Sequence, residues 1–315
     1  MRQVNSLTYL KGLATFVPGV ARFSCRSSSG TDSARYCYSV WMRHLVALKS
    51  SGLETRFNRV AELGPGDSIG LGLSAVLTGV DEYNAFDAKS HAVAEKNRLI
   101  LEELIRLFQQ REPIPDSNEF PRVSPQLEQY EFPNDILTDD ILDAALHPNR
   151  LSDIRQALEQ QGSGSIRIRY VAPWDESSLL EQESIDLVFS QAVMEHVQNV
   201  SSSYQALYAW LKPGGIMSHQ IDYKSHGLTK DWNGHWTMSD LHWKIILGNR
   251  PYLINRHPHS AHIAMMEEAG FQIVGEQKNQ LPPLPRTTLD RRYADLSDED
   301  LQTSGSLVQA IKHVR

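Results

Sequence analysis

One stretch, Val60-Ala61-Glu62-Leu63-Gly64-Pro65-Gly66-Asp67-Ser68-Ile69-Gly70, constrains the fold of this 315-residue chain more than any other. An apolar strand over Asn58–Leu63 runs into a turn of small residues, and a helical stretch follows from Ile69 to Leu77. Such a turn lets a ligand approach the backbone, because glycine has no Cβ to exclude it. Tyr83–Phe86 then reads as a second strand and Lys89–Gln110 as a long helix. Strand, helix, strand in this order builds a parallel sheet with helices on its faces.

The rhythm breaks over 111–165. Pro113, Pro115, Pro121, Pro125, Pro133 and Pro148 fall here, with helical stretches near 135–146 and 151–160 and a closing run from Gly162 to Ser165. A structureless loop of that length would be out of place in a compact domain, so we read an inserted helical cap. The α/β pattern resumes afterwards. Ile166–Val171, Ile185–Phe189 and Ile216–Asp222 read as strands, with a helix over Ser203–Leu211. A helix over Ser260–Ala269 ends at Gly270, and Phe271–Glu276 and Ser306–Lys312 are the last strands.

The N-terminal 50 residues stand apart from this pattern. Met1–Phe23 reads as an amphipathic helix with Val4, Leu7, Leu10 and Leu13 near one face. Residues 24–34 read as a loop, and Ser33 is placed to cap a helix through about Leu48. The expected organisation is thus N-terminal helices over 1–50 covering the site, and a main domain over 51–315 interrupted at 111–165.

Composition narrows the function. The net charge is -7 and no dense Lys/Arg run occurs, which argues against general nucleic-acid binding. Two cysteines, Cys25 and Cys37, cannot form a disulfide framework. No apolar run approaches the roughly 20 residues that span a bilayer. A cytoplasmic location is the default expectation.

Three further blocks carry chemistry. Asp87 follows the second strand, 21 positions beyond Gly66, a spacing that suits a carboxylate bonding the hydroxyls of a ribose; it suits a helix N-cap equally. Ser184-Ile185-Asp186-Leu187-Val188-Phe189-Ser190-Gln191 is a buried strand leading to Ala192-Val193-Met194-Glu195-His196-Val197. Lys212-Pro213-Gly214-Gly215 precedes the next strand. In order and spacing these blocks resemble the class I S-adenosylmethionine-dependent methyltransferases, of the methyltransferase-11 kind. The likeness covers roughly 56–110 and 166–280. It implies a Rossmann-like, seven-stranded, mostly parallel sheet with an antiparallel last strand, helices on both faces and an S-adenosyl-L-methionine cofactor. Leu307–Ile311 fits the antiparallel seventh strand beside Gly270–Val274.

Carried over residue by residue, the resemblance implies that Glu62, Gly64 and Gly66 face the methionine part of the cofactor. Asp87 would hold the ribose, Trp174 would flank the adenine, and Ser190 and Gln191 would lie under the sulfonium. A non-catalytic S-adenosylmethionine-binding or scaffold protein is the alternative of a different class. A nicotinamide oxidoreductase is the third reading, disfavoured by Ile69 where a dinucleotide turn has glycine.

Methyl transfer to a weakly acidic oxygen needs a base, and histidine suits neutral pH. Of 12 histidines, His196, His219, His226, His235, His242, His257, His259 and His262 fall after the fourth and fifth strands. Ligands of open α/β sheets bind at those strand ends. Asp222 with His226 is the best pair, and His196 is the second candidate base. Some quinone-pathway methyltransferases carry Glu-x-x-Glu-His at 192–196 and use a divalent cation. Here Ala192 stands where the first Glu would be, so no metal is expected. Trp232, Trp236, Trp243, Asn249, Arg250, Tyr252, Asn255 and Arg256 suit a polar ring, and Trp243–Arg256 is similar to methyltransferases of bacterial surface-polysaccharide pathways. The expected activity is methylation of a small or medium acceptor such as a sugar hydroxyl, with no nucleic-acid partner.

Overall fold

In the computed structural model the described residues are 4, 6–17, 30–89, 92–160, 164–174, 180–250 and 253–313. Cys25, most of the expected loop at 24–34, Gly162, Asp175 and Tyr252 lie outside them. Helices α1 (Ser6–Ala14) and α2 (Ala34–Ser50) precede β1 (Arg59–Leu63), α3 (Gly70–Val76) and β2 (Glu82–Phe86). Helices α4 (Ala94–Gln110), α5 (Asp139–Ala145) and α6 (Pro148–Glu159) lead to β3 (Arg167–Val171). Then come β4 (Ile185–Gln191), α7 (Val200–Trp210), β5 (Leu211–Asp222), α8 (Asp240–Leu247) and α9 (His259–Glu268). The chain closes on β6 (Phe271–Gln280), α10 (Asp298–Gln302) and β7 (Thr303–Lys312).

All these strands form one seven-stranded sheet in the order β3-β2-β1-β4-β5-β7-β6. Pairings from β3 to β5 are parallel, and β7 runs antiparallel to both β5 and β6. The expected Rossmann-like architecture is present. The order reverses between β1 and β4, so a crevice opens at their carboxyl ends. At the opposite end Asp186 braces the two strands. Its Oδ2 accepts the amides of Asn58 at 2.9 Å and Arg59 at 2.7 Å. Its Oδ1 pairs with Lys212 at 2.7 Å. Those contacts fix the register at which β1 and β4 reach the crevice.

Helix α2, before the expected boundary at residue 50, packs on the sheet. Ser33 caps α2 by accepting the Tyr36 amide at 3.3 Å. The helix is then buried nearly all round, with Ser39, Arg43 and His44 among its buried residues. Trp41 and His44 pack on Phe189 of β4 with ring centroids 5.4 and 5.8 Å apart. The 111–165 segment is fastened to the same helix. The Arg43 guanidinium, fully buried, donates to the carbonyls of Pro115 at 2.9 Å and Pro125 at 2.6 Å. Ile114, Val123, Phe132, Leu142 and Ile154 join the core shared by α2, α3 and α4.

Helix α1 differs from its amphipathic reading in direction. Leu7, Leu10 and Leu13 are exposed, whereas Gly12 lies against α8: a Cβ there would stand 2.1 Å from the Ile245 carbonyl oxygen. Backbone proximity rather than an apolar stripe therefore decides which face docks.

Candidate active site

The glycine turn leaves β1 at the point where the strand order reverses. Gly64 and Gly66 have φ of +64° and +75°, a left-handed geometry that glycine adopts without penalty. Asp87, at the end of β2, accepts the Gly66 amide at 3.3 Å through Oδ2 and the Ala88 amide at 2.7 Å through Oδ1. It thus ties the second strand to the turn while remaining partly exposed.

Glu62 faces the other way. Its buried carboxyl receives the Tyr83 hydroxyl at 2.5 Å, and burial pushes its pKa up to about 8. That places its side chain in the packing between β1, β2 and α3, where Gly72 leaves room for the Tyr83 ring: a Cβ on Gly72 would stand 1.8 Å from it. Trp174, after β3, packs against Trp210 with centroids 5.4 Å apart and donates its amide to the Asp87 carbonyl at 2.8 Å. Ser190 is buried and its hydroxyl bonds His219 Nδ1 at 2.7 Å. Gln191 donates to the Ser124 carbonyl at 3.0 Å, which draws the 111–165 segment over the end of β4.

Beyond β4 the chain makes a tight turn. Ala192 takes φ +54° and its amide bonds the Gln220 carbonyl at 2.9 Å. Val193 then lies on Gly64, where a Cβ would come within 2.5 Å of its Cγ2. A short 3-10 turn follows over Met194–His196. Asn255 clamps it, donating from Nδ2 to Met194 at 2.8 Å and Val197 at 3.0 Å, and from its amide to Glu195 at 2.7 Å.

The loop after β5 brings the second half of the site. His226, at φ +49°, and Gly227, at φ +75°, turn the chain back toward β4. His226 Nε2 lies 3.8 Å from Asp222 Oδ2 and 3.9 Å from Glu195 Oε1. The His196 ring stands edge-on to it, with centroids 4.9 Å apart. Asp222 Oδ2 also meets Lys224 Nζ at 2.8 Å. Burial holds His226 below the usual histidine pKa, opposed by the Asp222 charge. Burial, with Asp222 adding to it, raises the Glu195 pKa well above the carboxylate range.

The three expected catalytic residues, Asp222, His226 and His196, therefore meet. Glu195 and Asn255 complete the group. Glu195 was legible only as part of a motif and Asn255 only as a polar residue among aromatics. The expected ring-binding aromatics do not line an open face. Trp236 is fully buried and stacked on Tyr293 at 5.9 Å, and Arg256 lies 4.8 Å over Trp243 and 5.5 Å over Tyr293. They hold the 228–257 segment to the 286–301 connection. His219, His235 and His262 are likewise buried.

These residues fit an adenosyl cofactor. The turn at the reversal point needs two left-handed glycines, and a carboxylate stands at the end of β2. The methyltransferase domain family matches residues 137–218, which take in β3, β4 and the first part of β5 and leave the glycine turn outside. The tRNA 5-carboxymethoxyuridine methyltransferase of Escherichia coli strain K12 is 30% identical over 138 residues, 39% of this chain and 47% of that protein. The chain thus spans about half the length of that relative. Among solved structures, the Haemonchus contortus phosphoethanolamine N-methyltransferase 2 complex with S-adenosyl-L-methionine aligns at 14% identity over 89% of this chain and 57% of that one, TM-score 0.43. A Mesorhizobium loti S-adenosylmethionine-dependent methyltransferase aligns at 14% identity over 85% and 96%, TM-score 0.42. Over residues 137–218, then, the chain is similar to the methyltransferase domain family, and its sheet has the order that the sequence reading expects.

Proposed function

We propose that the chain is an S-adenosylmethionine-dependent methyltransferase acting on an oxygen of a small or medium acceptor. The observation that carries this reading is the meeting of Asp222, His226 and His196 beside the glycine turn at the sheet's reversal point. When bound, S-adenosylmethionine supplies a methyl group on a good leaving group. What remains for the protein is alignment and proton removal.

Asp87 and the Gly64–Gly66 turn would hold the cofactor, with Trp174 and Gln191 flanking it. His226 Nε2 takes the acceptor proton. Asp222, at 3.8 Å, stabilises the imidazolium that forms. The loop at Ser124, bonded to Gln191, limits how large an acceptor can enter over β4. A sugar hydroxyl remains one acceptor of the right chemistry, though the buried Trp236 and Trp243 lend it no platform.

The curated relative favours a second acceptor, a carboxymethoxyuridine in tRNA. The net charge of -7 weighs against extended phosphate contacts. Calorimetry with S-adenosylmethionine, S-adenosylhomocysteine and NAD tests the cofactor: preferential NAD binding would sink the reading. Incubation with labelled S-adenosylmethionine and either small-molecule extract or total tRNA then separates the acceptors. Binding without label transfer to either would leave a non-catalytic S-adenosylmethionine-binding protein.

A further inference from the structure

We propose that Glu195, His196 and His226 hold a divalent transition-metal ion. Each offers one donor atom, and the three atoms lie within 4.8 Å of one another. Glu195 is 2% exposed, and among the described residues no side chain comes within hydrogen-bond distance of either carboxylate oxygen. A buried carboxylate left in this state is costly, and the usual remedies are a pairing cation or a metal. Oε1 points at His226 Nε2 across 3.9 Å. Two donors at about 2.1 Å from a common ion lie no more than roughly 4.2 Å apart, so this pair already brackets an ion. The His196 donor lies within 4.8 Å of both. Asp222, 3.8 Å from the same nitrogen, stands where it can act as a further oxygen donor.

The backbone that presents the donors is built for the purpose. Ala192 and His226 both take left-handed geometry, and Asn255 binds three carbonyls of the 194–197 turn. His226 occupies, from the loop after β5, the role that a carboxylate at 192 would have played. The absence of that carboxylate was the ground for expecting no metal. Two imidazoles with one or two carboxylates suit Zn²⁺, Mn²⁺, Fe²⁺ or Ni²⁺ better than Mg²⁺, which prefers oxygen ligands and its own waters.

The role of the ion rests on the methyl-transfer reading, whereas its binding does not. Such a ligand set leaves coordination positions open, and an acceptor hydroxyl on one of them loses its proton near neutral pH. With the ion bound, His226 would be a ligand instead of the base proposed above, and the acceptor proton would pass to solvent.

The test uses the full chain, stripped with EDTA and titrated separately with ZnCl₂ and MnCl₂ in the absence of S-adenosylmethionine. One equivalent is expected to bind in calorimetry and to raise the melting temperature. Glu195→Gln and His226→Asn should each weaken binding by on the order of 100-fold. Metal-free Glu195→Gln should melt above the metal-free parent, because an amide replaces the lone buried carboxylate. Asparagine tolerates the left-handed backbone at 226, so His226→Asn decides the matter even if the Glu195 variant does not fold. No saturable binding of either ion, or binding that both variants retain, overturns the proposal. Titration of the same protein with S-adenosylmethionine reports independently on the methyl-transfer reading.

Discussion

His226 Nε2 lies 3.9 Å from Glu195 Oε1, which joins the loop after β5 to the turn after β4. Neither segment alone contains a site. The pairing exists because β4 and β5 are parallel neighbours, so both strands deliver their following loops to one edge of the sheet.

Replacing His226 with alanine is expected to cut the methylation rate by on the order of 100-fold, the usual contribution of a positioned acid or base. Affinity for S-adenosylmethionine should change little, since His226 lies across the 192–197 turn from Gly64. Steady-state rates with calorimetry on the same preparation check both halves.

Asp87→Ala removes a carboxylate that ties Gly66 to the end of β2. Loss of hydrogen bonds to a charged group predicts cofactor binding weaker by about 1–3 kcal/mol. Calorimetric affinity unchanged from the parent would leave Asp87 with a structural role in bracing the turn.

Gly64→Ala sets a Cβ 2.5 Å from Val193 Cγ2 and also strains a φ of +64°. The expected destabilisation is on the order of 2–3 kcal/mol, from overpacking and backbone strain together. Adding Val193→Ala relieves the clash and leaves the strain, so urea denaturation of the double variant should recover only part of the loss.

The buried histidines predict acid lability. Burial lowers His44 to about 4 and His219 to about 3, with His44 Nδ1 on the Ser218 hydroxyl at 2.8 Å and His219 Nδ1 on Ser190. Their folded pKa values lie below the unfolded value near 6.5. The unfolded chain therefore binds more protons, and stability falls as pH drops from about 6.5 toward 3 to 4. For His44 alone the loss is on the order of 3 kcal/mol. Denaturant melts from pH 7 to pH 4 should show this slope, and His44→Gln should reduce it.

Glu62 predicts the opposite slope at higher pH. Its folded pKa, raised to about 8, exceeds the unfolded value. The folded chain then holds the extra proton, and stability falls as pH rises from about 4.5 to 8, then levels off. Glu62→Gln keeps an oxygen acceptor for the Tyr83 hydroxyl and has no proton to lose. Its stability relative to the parent should therefore grow between pH 5 and pH 9, by up to several kcal/mol.

The sequence by itself determined the sheet. Apolar runs bounded by glycine, proline and serine set each strand within a few residues, and helix ends followed from local groups such as Ser33 and Gly270. These are short-range effects that neighbouring residues settle. The same reasoning singled out Asp222, His226 and His196, because strand ends point to a site without knowing what fills it. Tertiary structure decided the rest. Apolar residues in α1 could not say which face would dock, since Gly12 against the α8 backbone settles that. Trp236 and Trp243 read equally well as a binding face or as core, and only packing against Tyr293 and Arg256 distinguished them. Glu62 and Ser190 carried the right residue types for a cofactor, yet their side chains turned to Tyr83 and His219. Glu195 stood out only when a loop from the next strand brought His226 Nε2 to 3.9 Å from its buried carboxylate.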